Sequence, residues 1–250
     1  MRGKEFIDES SGYSLAGSYT NDLIISKLWL AHKLKKILQD RPVPVAYVLG
    51  SWYGNMSTIL RKMQVPIDTI IDVEKNKQWL ATGRRLQQGM GIKGVKPLAQ
   101  DANSVDYQET TQPLVVINTS TNDMSDHGWF DHVPAGTIVV LQGRDHAGSE
   151  AQHVYQSPED LLELYPLQTV LYQGTQTLKD PETQYQRHMV IGIKGANQLR
   201  ELTFMGLSQC TKDCSGHRAG YEWSRARGSA TASSWSPSFN RGAEIASQGY

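Results

Sequence analysis

Cysteine is scarce in this chain, with two in 250 residues, so a disulfide framework does not hold a main domain together. A charge bias is missing as well. Lys and Arg total 25 against 25 Asp and Glu, which excludes a global electrostatic attraction to nucleic acid or anionic membrane and leaves only local basic patches. No apolar run approaches the roughly 18 residues of a membrane span. The opening stretch, MRGKEFIDESSGYS, lacks the apolar segment of a secretory signal. The expectation is a soluble, cytoplasmic protein whose length allows one sizeable core with an appendage.

What is present falls into three parts. Residues 1–21 are polar, rich in Gly, Ser and Tyr, and read as an N-terminal arm. Asn21 or Asp22 can then cap a helix over about 22–39, with Leu23, Ile24, Ser26, Lys27, Leu30, Leu34, Ile37 and Leu38 on one mostly apolar face. From Pro44 the pattern alternates. Strands are predicted at 44–49, 67–72, 95–99, 113–118 and 136–142, and helices at 54–63, 75–90, 126–132 and 158–165. Short apolar strands alternating with helices imply a parallel sheet covered on both faces. Residues 168–178 and 185–194 then read as two strands with a short polar connector, hence an antiparallel hairpin. The α/β domain is placed at 22–199.

The segment from Pro44 to Glu74 reads PVAYVLGSWYGNMSTILRKMQVPIDTIIDVE. It is a strand, a turn with Gly50 and Gly54, a helix, and a second strand ending in an acid, the opening unit of a nucleotide-type sheet whose ligand site lies at that turn. Trp52 stands where a small residue would admit a pyrophosphate, which points to an adenosine-containing ligand without one. Asp72, about twenty residues past the turn, is the candidate for the ribose hydroxyls. Glu74 is a second candidate, placed in the first turn of the next helix, where an acid suits the helix dipole.

Five βα units closed by a hairpin match the class I methyltransferase fold. Residues 44–145 resemble a class I S-adenosylmethionine-dependent methyltransferase. More narrowly, LGSWYGN, IIDVEKN, QDANSVDY, VINTSTNDM and GWFDHVPAGTIVVLQGRDH resemble methyltransferase-like proteins of tailed bacteriophages, over about residues 13–194. The resemblance implies a Rossmann-like class I methyltransferase fold, a mostly parallel sheet with a C-terminal hairpin, and S-adenosylmethionine as cofactor. It assigns Gly50, Ser51, Trp52 and Gly54 to the methionine part, Asp72 to the ribose, and Asp101 with the backbone of Ala102 to the adenine; Asp101 alternatively caps the turn that follows it. The family's acid two residues before the first glycine, which receives the ligand ammonium, is replaced by Val48.

The family's acceptor-side signature is an Asp or Asn, two prolines and an aromatic. Here Asn118 keeps the first position, and Thr119 and Ser120 replace the prolines. Asn118 is thus the candidate for orienting an acceptor amine. His127 is the nearest base, should the acceptor need deprotonation, although a surface histidine beside a glycine is more often bland. Gln142, Arg144, Asp145 and His146 follow the fifth strand at the expected pocket rim, with a spacing that does not establish a metal site. No metal is expected.

Residues 200–250 are different: SQCTKDCSGHRAGYEWSR, a Ser/Ala-rich stretch, then FNRGAEIASQGY. Few aliphatics argue against a core of their own. Cys210, Cys214 and His217 are one ligand short of a closed zinc site. Arg218, Tyr221, Trp223, Arg225 and Arg227 supply cations and aromatics for a nucleic-acid or protein partner. Two functional readings stand: a methyltransferase with an unidentified nucleic-acid or protein amine as acceptor, in a host cytoplasm, and a catalytically degenerate relative acting in phage structure or host interaction.

Overall fold

The computed structural model describes residues 15–107, 113–124, 127–146, 151–180, 183–196, 203–204, 208–209, 215–234 and 236–248. The chain divides into two compact units, Met1–Ala196 and Asn197–Tyr250.

In the first unit a short turn, Ala16–Tyr19, leads into helix α1 (Asn21–Leu38). Strand β1 (Val43–Leu49), α2 (Asn55–Lys62), β2 (Ile67–Val73), α3 (Lys77–Gly89) and β3 (Val95–Leu98) follow. Then come β4 (Leu114–Asn118), α4 (Gly128–His132), β5 (Ile138–Arg144), α5 (Pro158–Leu164), β6 (Thr169–Lys179) and β7 (Gln184–Ile193). The seven strands form one sheet in the order β3-β2-β1-β4-β5-β7-β6. All neighbours are parallel except β7, which runs antiparallel to β5 and β6. The sequence expectation of a mostly parallel sheet ending in a hairpin is what the chain forms.

β1 and β4 are apolar along their length because the sheet is buried on both faces. Ala46, Val48, Ile70, Val115, Ile117, Val140, Met189 and Ile191 pack with Leu30, Leu34, Met56 and Leu60 of α1 and α2. Leu49, Val73, Val116, Val139, Leu141 and Val190 pack on the other face with Trp129, Phe130, Leu161 and Tyr165.

Local chemistry fixes the helix starts. Asn76 caps α3, its side-chain oxygen accepting from the backbone N–H of Gln78 and Trp79. Ser157 caps α5, with Pro158 at the first position. At α1 the structure corrects the sequence. Thr20, rather than Asn21 or Asp22, is the N-cap, without a side-chain cap bond. Asp22 lies inside the first turn, buried, and accepts the hydroxyl proton of Tyr185 at 2.7 Å. A tertiary partner has outcompeted the local cap. The arm is also tied down at its described end, since Ser18 is buried and its carbonyl accepts from the Asn55 amide.

The second unit corrects the expectation of a segment without its own packing. Helices α6 (Ser215–Arg225) and α7 (Pro237–Ser247) lie against each other, and the Ser-rich stretch is their connector. Small residues make this possible. A Cβ on Gly220 would fall on the Phe239 carbonyl and 3.0 Å from the Ala243 nitrogen, and one on Gly242 would fall on the His217 carbonyl. Aliphatic content therefore misled: the contact is backbone against backbone, with Ala243, Ile245 and Ala246 buried beside it. A Gly220→Val substitution is expected to separate the pair, seen as loss of amide-exchange protection over 215–248 with protection in the first unit retained. Cys210 and Cys214 lie outside the described residues. His217 is buried in α6, and burial pushes its imidazole down from the ordinary value.

Candidate functional site

The chain reverses direction across the sheet between β1 and β4, the position where open α/β sheets bind ligands at the strands' carboxyl ends. A cavity of about 270 Å³ opens there. Gly50, Ser51, Trp52, Asn55 and Met56 line it from the turn and α2, Thr119, Ser120, Asn122 and Asp123 from the loop after β4. Gly17, Val48 of β1, Leu23 and Lys27 of α1, Arg144 of β5 and Arg187 of β7 complete the wall.

The turn needs left-handed backbone three times: Gly50 at φ 59°, Trp52 at 55° and Gly54 at 71°. Trp52 thus keeps the conformation a glycine would adopt freely, at a cost of about 1–2 kcal/mol. Its amide donates to the Glu74 carboxylate at 3.0 Å, and its ring lies 5.5 Å from Tyr53 and 6.2 Å from Trp79. Gly50 approaches Ser120, whose hydroxyl donates to the Gly50 carbonyl at 3.3 Å.

Of the residues read from sequence, Gly50, Ser51 and Trp52 line the cavity, and Gly54 opens α2 beneath it. Asp72 does not line it. Its carboxylate is 3% exposed and accepts from Ser57 of α2 and from Gln87 of α3 at 2.9 Å. Burial raises Asp72 to about 6, against the lowering effect of those two donors. The side chain shares the face of Ile70, packed under α2, and ties α2 and α3 to the sheet. The acid at the end of β2 facing the turn is Glu74, which receives the amides of Trp52 and Asn76. The reading of Glu74 as part of the next helix was off because Asn76 starts that helix at Lys77.

Asp101 caps the short turn Ala102–Ser104, accepting from Asn103 at 2.9 Å, and remains exposed together with half-buried Ala102 at the edge of the sheet. Neither lines the cavity. Asn118 is fully buried. Its oxygen accepts from the Ser120 amide at 2.9 Å and its amide faces the Met124 sulfur at 3.2 Å. It shapes the loop after β4 and presents no group to an acceptor. His127 is exposed at the start of α4, its ring 5.9 Å from His153 and 6.0 Å from Tyr165, away from the cavity lining. At the rim, Gln142 is buried and joined to Ser26 of α1 at 3.0 Å, and Asp145 accepts from the Gln186 amide. Among the described residues no group of three His, Cys, Asp or Glu could hold a metal. None of the described helices is long and apolar enough to cross a membrane.

Two wall residues escaped the sequence reading. Lys27 was placed on the apolar face of α1, and Arg187 inside a strand. Arg187 is 4% exposed, and one of its terminal nitrogens donates to the Thr119 carbonyl at 2.8 Å. The available signal was period two along β7, which puts Arg187 on the same face as core residues Met189 and Ile191. Burial, reinforced by Arg187 and opposed by Asp22, lowers the Lys27 ammonium to about 7. Several buried polar atoms of the wall have no hydrogen-bond partner among the described residues: Ser51 Oγ, Asn55 Oδ1, Arg144 Nε and Arg187 Nε. Buried polar atoms are rarely left so, and these four share one cavity wall.

No protein-family model matches this sequence, and no curated protein matches it. Solved structures do. The chain is similar to the YcgJ protein from Bacillus subtilis at 8% identity, over 67% of this chain and 98% of that one, with a TM-score of 0.51. It is similar also to a Galdieria sulphuraria protein assigned as a sarcosine dimethylglycine methyltransferase, at 8% identity, over 70% and 87% of the two chains, with a TM-score of 0.50. At these identities the likeness is one of fold, and the first unit has the Rossmann-like α/β fold of methyltransferase structures.

Proposed function

We propose that the protein is an S-adenosylmethionine-dependent methyltransferase. The observation that carries this reading is the cavity at the β1/β4 switch point, lined by a left-handed glycine-type turn and by buried polar atoms without partners. The residues present fit the cofactor. Ser51 Oγ and the start of α2 suit a carboxylate. The Asn55 amide nitrogen is committed to the Ser18 carbonyl, which turns its unpartnered oxygen toward an ammonium. Asn55 thus supplies the acceptor that the apolar Val48 of the cavity wall lacks. In this reading Glu74, hydrogen-bonded to the turn, takes the ribose hydroxyls and Asp101 with Ala102 the adenine, although none of the three lines the cavity.

The cofactor would supply an electrophilic methyl group; the chain's own residues bind, align and exclude water. Alignment of acceptor and methyl supplies much of the acceleration in such a displacement. A host-cytoplasmic enzyme of tailed-phage origin remains part of this proposal, supported by the sequence resemblance alone.

Calorimetry with S-adenosylmethionine and S-adenosylhomocysteine tests the reading. One-to-one binding of both is expected, with Asn55→Ala weakening them about tenfold, the scale of a hydrogen bond to a charged group. Absence of heat and of any thermal shift with either compound would overturn it. A second reading, a degenerate fold serving as a structural component, is favoured by Asn118, whose buried amide offers nothing to an acceptor. It predicts that assembly partners bind the Asp72→Asn or Asn55→Ala protein as they do the wild type.

A further inference from the structure

Across β4 from the glycine turn, the cavity wall changes character. Three of its side chains are cations, Lys27, Arg144 and Arg187, against one carboxylate, Asp123. Asp123 lies 3.5 Å from Arg144. Lys27 and Arg187 are left without an ion-pair partner among the described residues. Asp22 gives one carboxylate oxygen to the Tyr185 hydroxyl and keeps the other buried without a hydrogen-bond partner, so it offsets the two cations in part. A buried guanidinium without a direct ion pair is expensive, and an anionic ligand would offset that cost. Arg187 meets that description, being buried, with Nε unpartnered and its side chain in the cavity wall.

We propose that Arg187, with Lys27 and Arg144, forms a subsite for an anionic oxygen group, carboxylate or phosphate, carried by the methyl acceptor. The inference rests on the methyltransferase reading for the role of the neighbouring turn. Sheet order separates the two halves. Gly50 follows β1, whereas Arg144 and Arg187 lie on β5 and β7, two and three strands away. At about 4.8 Å per strand their backbones lie roughly 10 and 14 Å from it, and the Arg187 side chain reaches back as far as the Thr119 carbonyl after β4, so the binding test below decides which anion the cations serve. A guanidinium matches carboxylate and phosphate oxygens in geometry as well as charge. Gly17 and α1 form one side of the space.

The subsite carries a proton linkage. The charged and titratable groups around the two cations are Asp22 on α1, Tyr185 on β7, Arg144 on β5 and Asp123 after β4. An anion beside Lys27 favours its protonated form. Binding therefore takes up a proton, and affinity falls as pH rises from about 6 to 8, through the lowered value of Lys27 near 7.

The test uses the full chain, titrated with malonate and with inorganic phosphate, in the presence and absence of S-adenosylhomocysteine. Saturable binding of one anion is expected, weakened at least about tenfold in Arg187→Leu and in Lys27→Met, with S-adenosylhomocysteine affinity unchanged within about twofold. Lys27→Met, on the helix surface of the cavity, keeps the test readable if Arg187→Leu fails to fold. Preference for malonate assigns a carboxylate acceptor, and preference for phosphate a phosphorylated one. Parallel loss of S-adenosylhomocysteine and anion binding would overturn the subsite, because the cations would then hold the cofactor. Failure of both anions to bind would overturn it equally. Anion binding without S-adenosylhomocysteine binding would keep the subsite and remove the methyltransferase reading.

Discussion

Replacing Gly54 by alanine is expected to lower stability by about 3 kcal/mol and to abolish cofactor binding. Two effects add. At φ 71° an L side chain meets the left-handed penalty of about 1–2 kcal/mol. The new Cβ would also fall on the Gln87 amide nitrogen and 2.9 Å from an Asp72 oxygen. Both atoms belong to a closed network, since Gln87 donates to Asp72 and to the Gly54 carbonyl at 3.2 Å. Room for a methyl group exists only if that network opens, at about 1–3 kcal/mol for overpacking. Gly136→Ala separates the terms. It stands at φ 84° with nothing within 4 Å of its Cβ, so it should cost the backbone term alone. Chemical denaturation gives both values; equal losses at the two positions would show that the network yields freely.

Asp72→Asn is expected to make the protein more stable near neutral pH and to leave cofactor affinity unchanged. The Asp72 carboxyl is held up at about 6 by burial, above its ordinary 3.8. Below about pH 4 it is protonated in folded and unfolded chains alike, and contributes no pH dependence. Between about 4 and 6 the unfolded chain has released the proton and the folded chain has not. The folded state then binds more protons, so stability falls as pH rises, by up to about 3 kcal/mol from this group. Above 6 the loss is complete. Asparagine removes it while its oxygen still accepts from Gln87 and its amide can donate to Ser57. Denaturation at pH 4.5 and pH 7 should show variant and wild type diverging toward the higher pH. Glu74→Ala, in contrast, should lower cofactor affinity with a modest change in stability. If Asp72→Asn loses the cofactor and Glu74→Ala does not, the assignment of the two acids is reversed.

These two acids also mark where the sequence was legible and where it was not. Every strand and helix of the first unit was visible to within a few residues, because apolar runs of five to seven residues alternate with amphipathic segments and the turn residues fall between them. The side chains were harder. In a strand buried on both faces, alternation no longer tells which acid faces the ligand, and IIDVE offers Asp72 and Glu74 on equal terms. The deciding signal was Asn76, a helix cap that leaves Glu74 in the loop at the strand end. Asn118 and His127 were placed near the site by chain position alone. The first is consumed by its own loop and the second by neighbouring rings. In the second unit, glycine spacing outweighed the missing aliphatics, a packing mode that composition does not report.

The bonds that hold α1 over the cavity have a temporal consequence. Ser26 is joined to Gln142, 116 positions later, and Asp22 to Tyr185, 163 positions later. Lys27 and Arg187 likewise come from opposite ends of the first unit. A ribosome adding roughly 5–20 residues per second needs on the order of ten to thirty seconds to pass from one to the other. During that interval the glycine turn and the first three strands can assemble, while α1 lacks its final partners. The completed pocket is therefore a late product of synthesis, and a chain released before β7 emerges would carry the turn without the cationic wall.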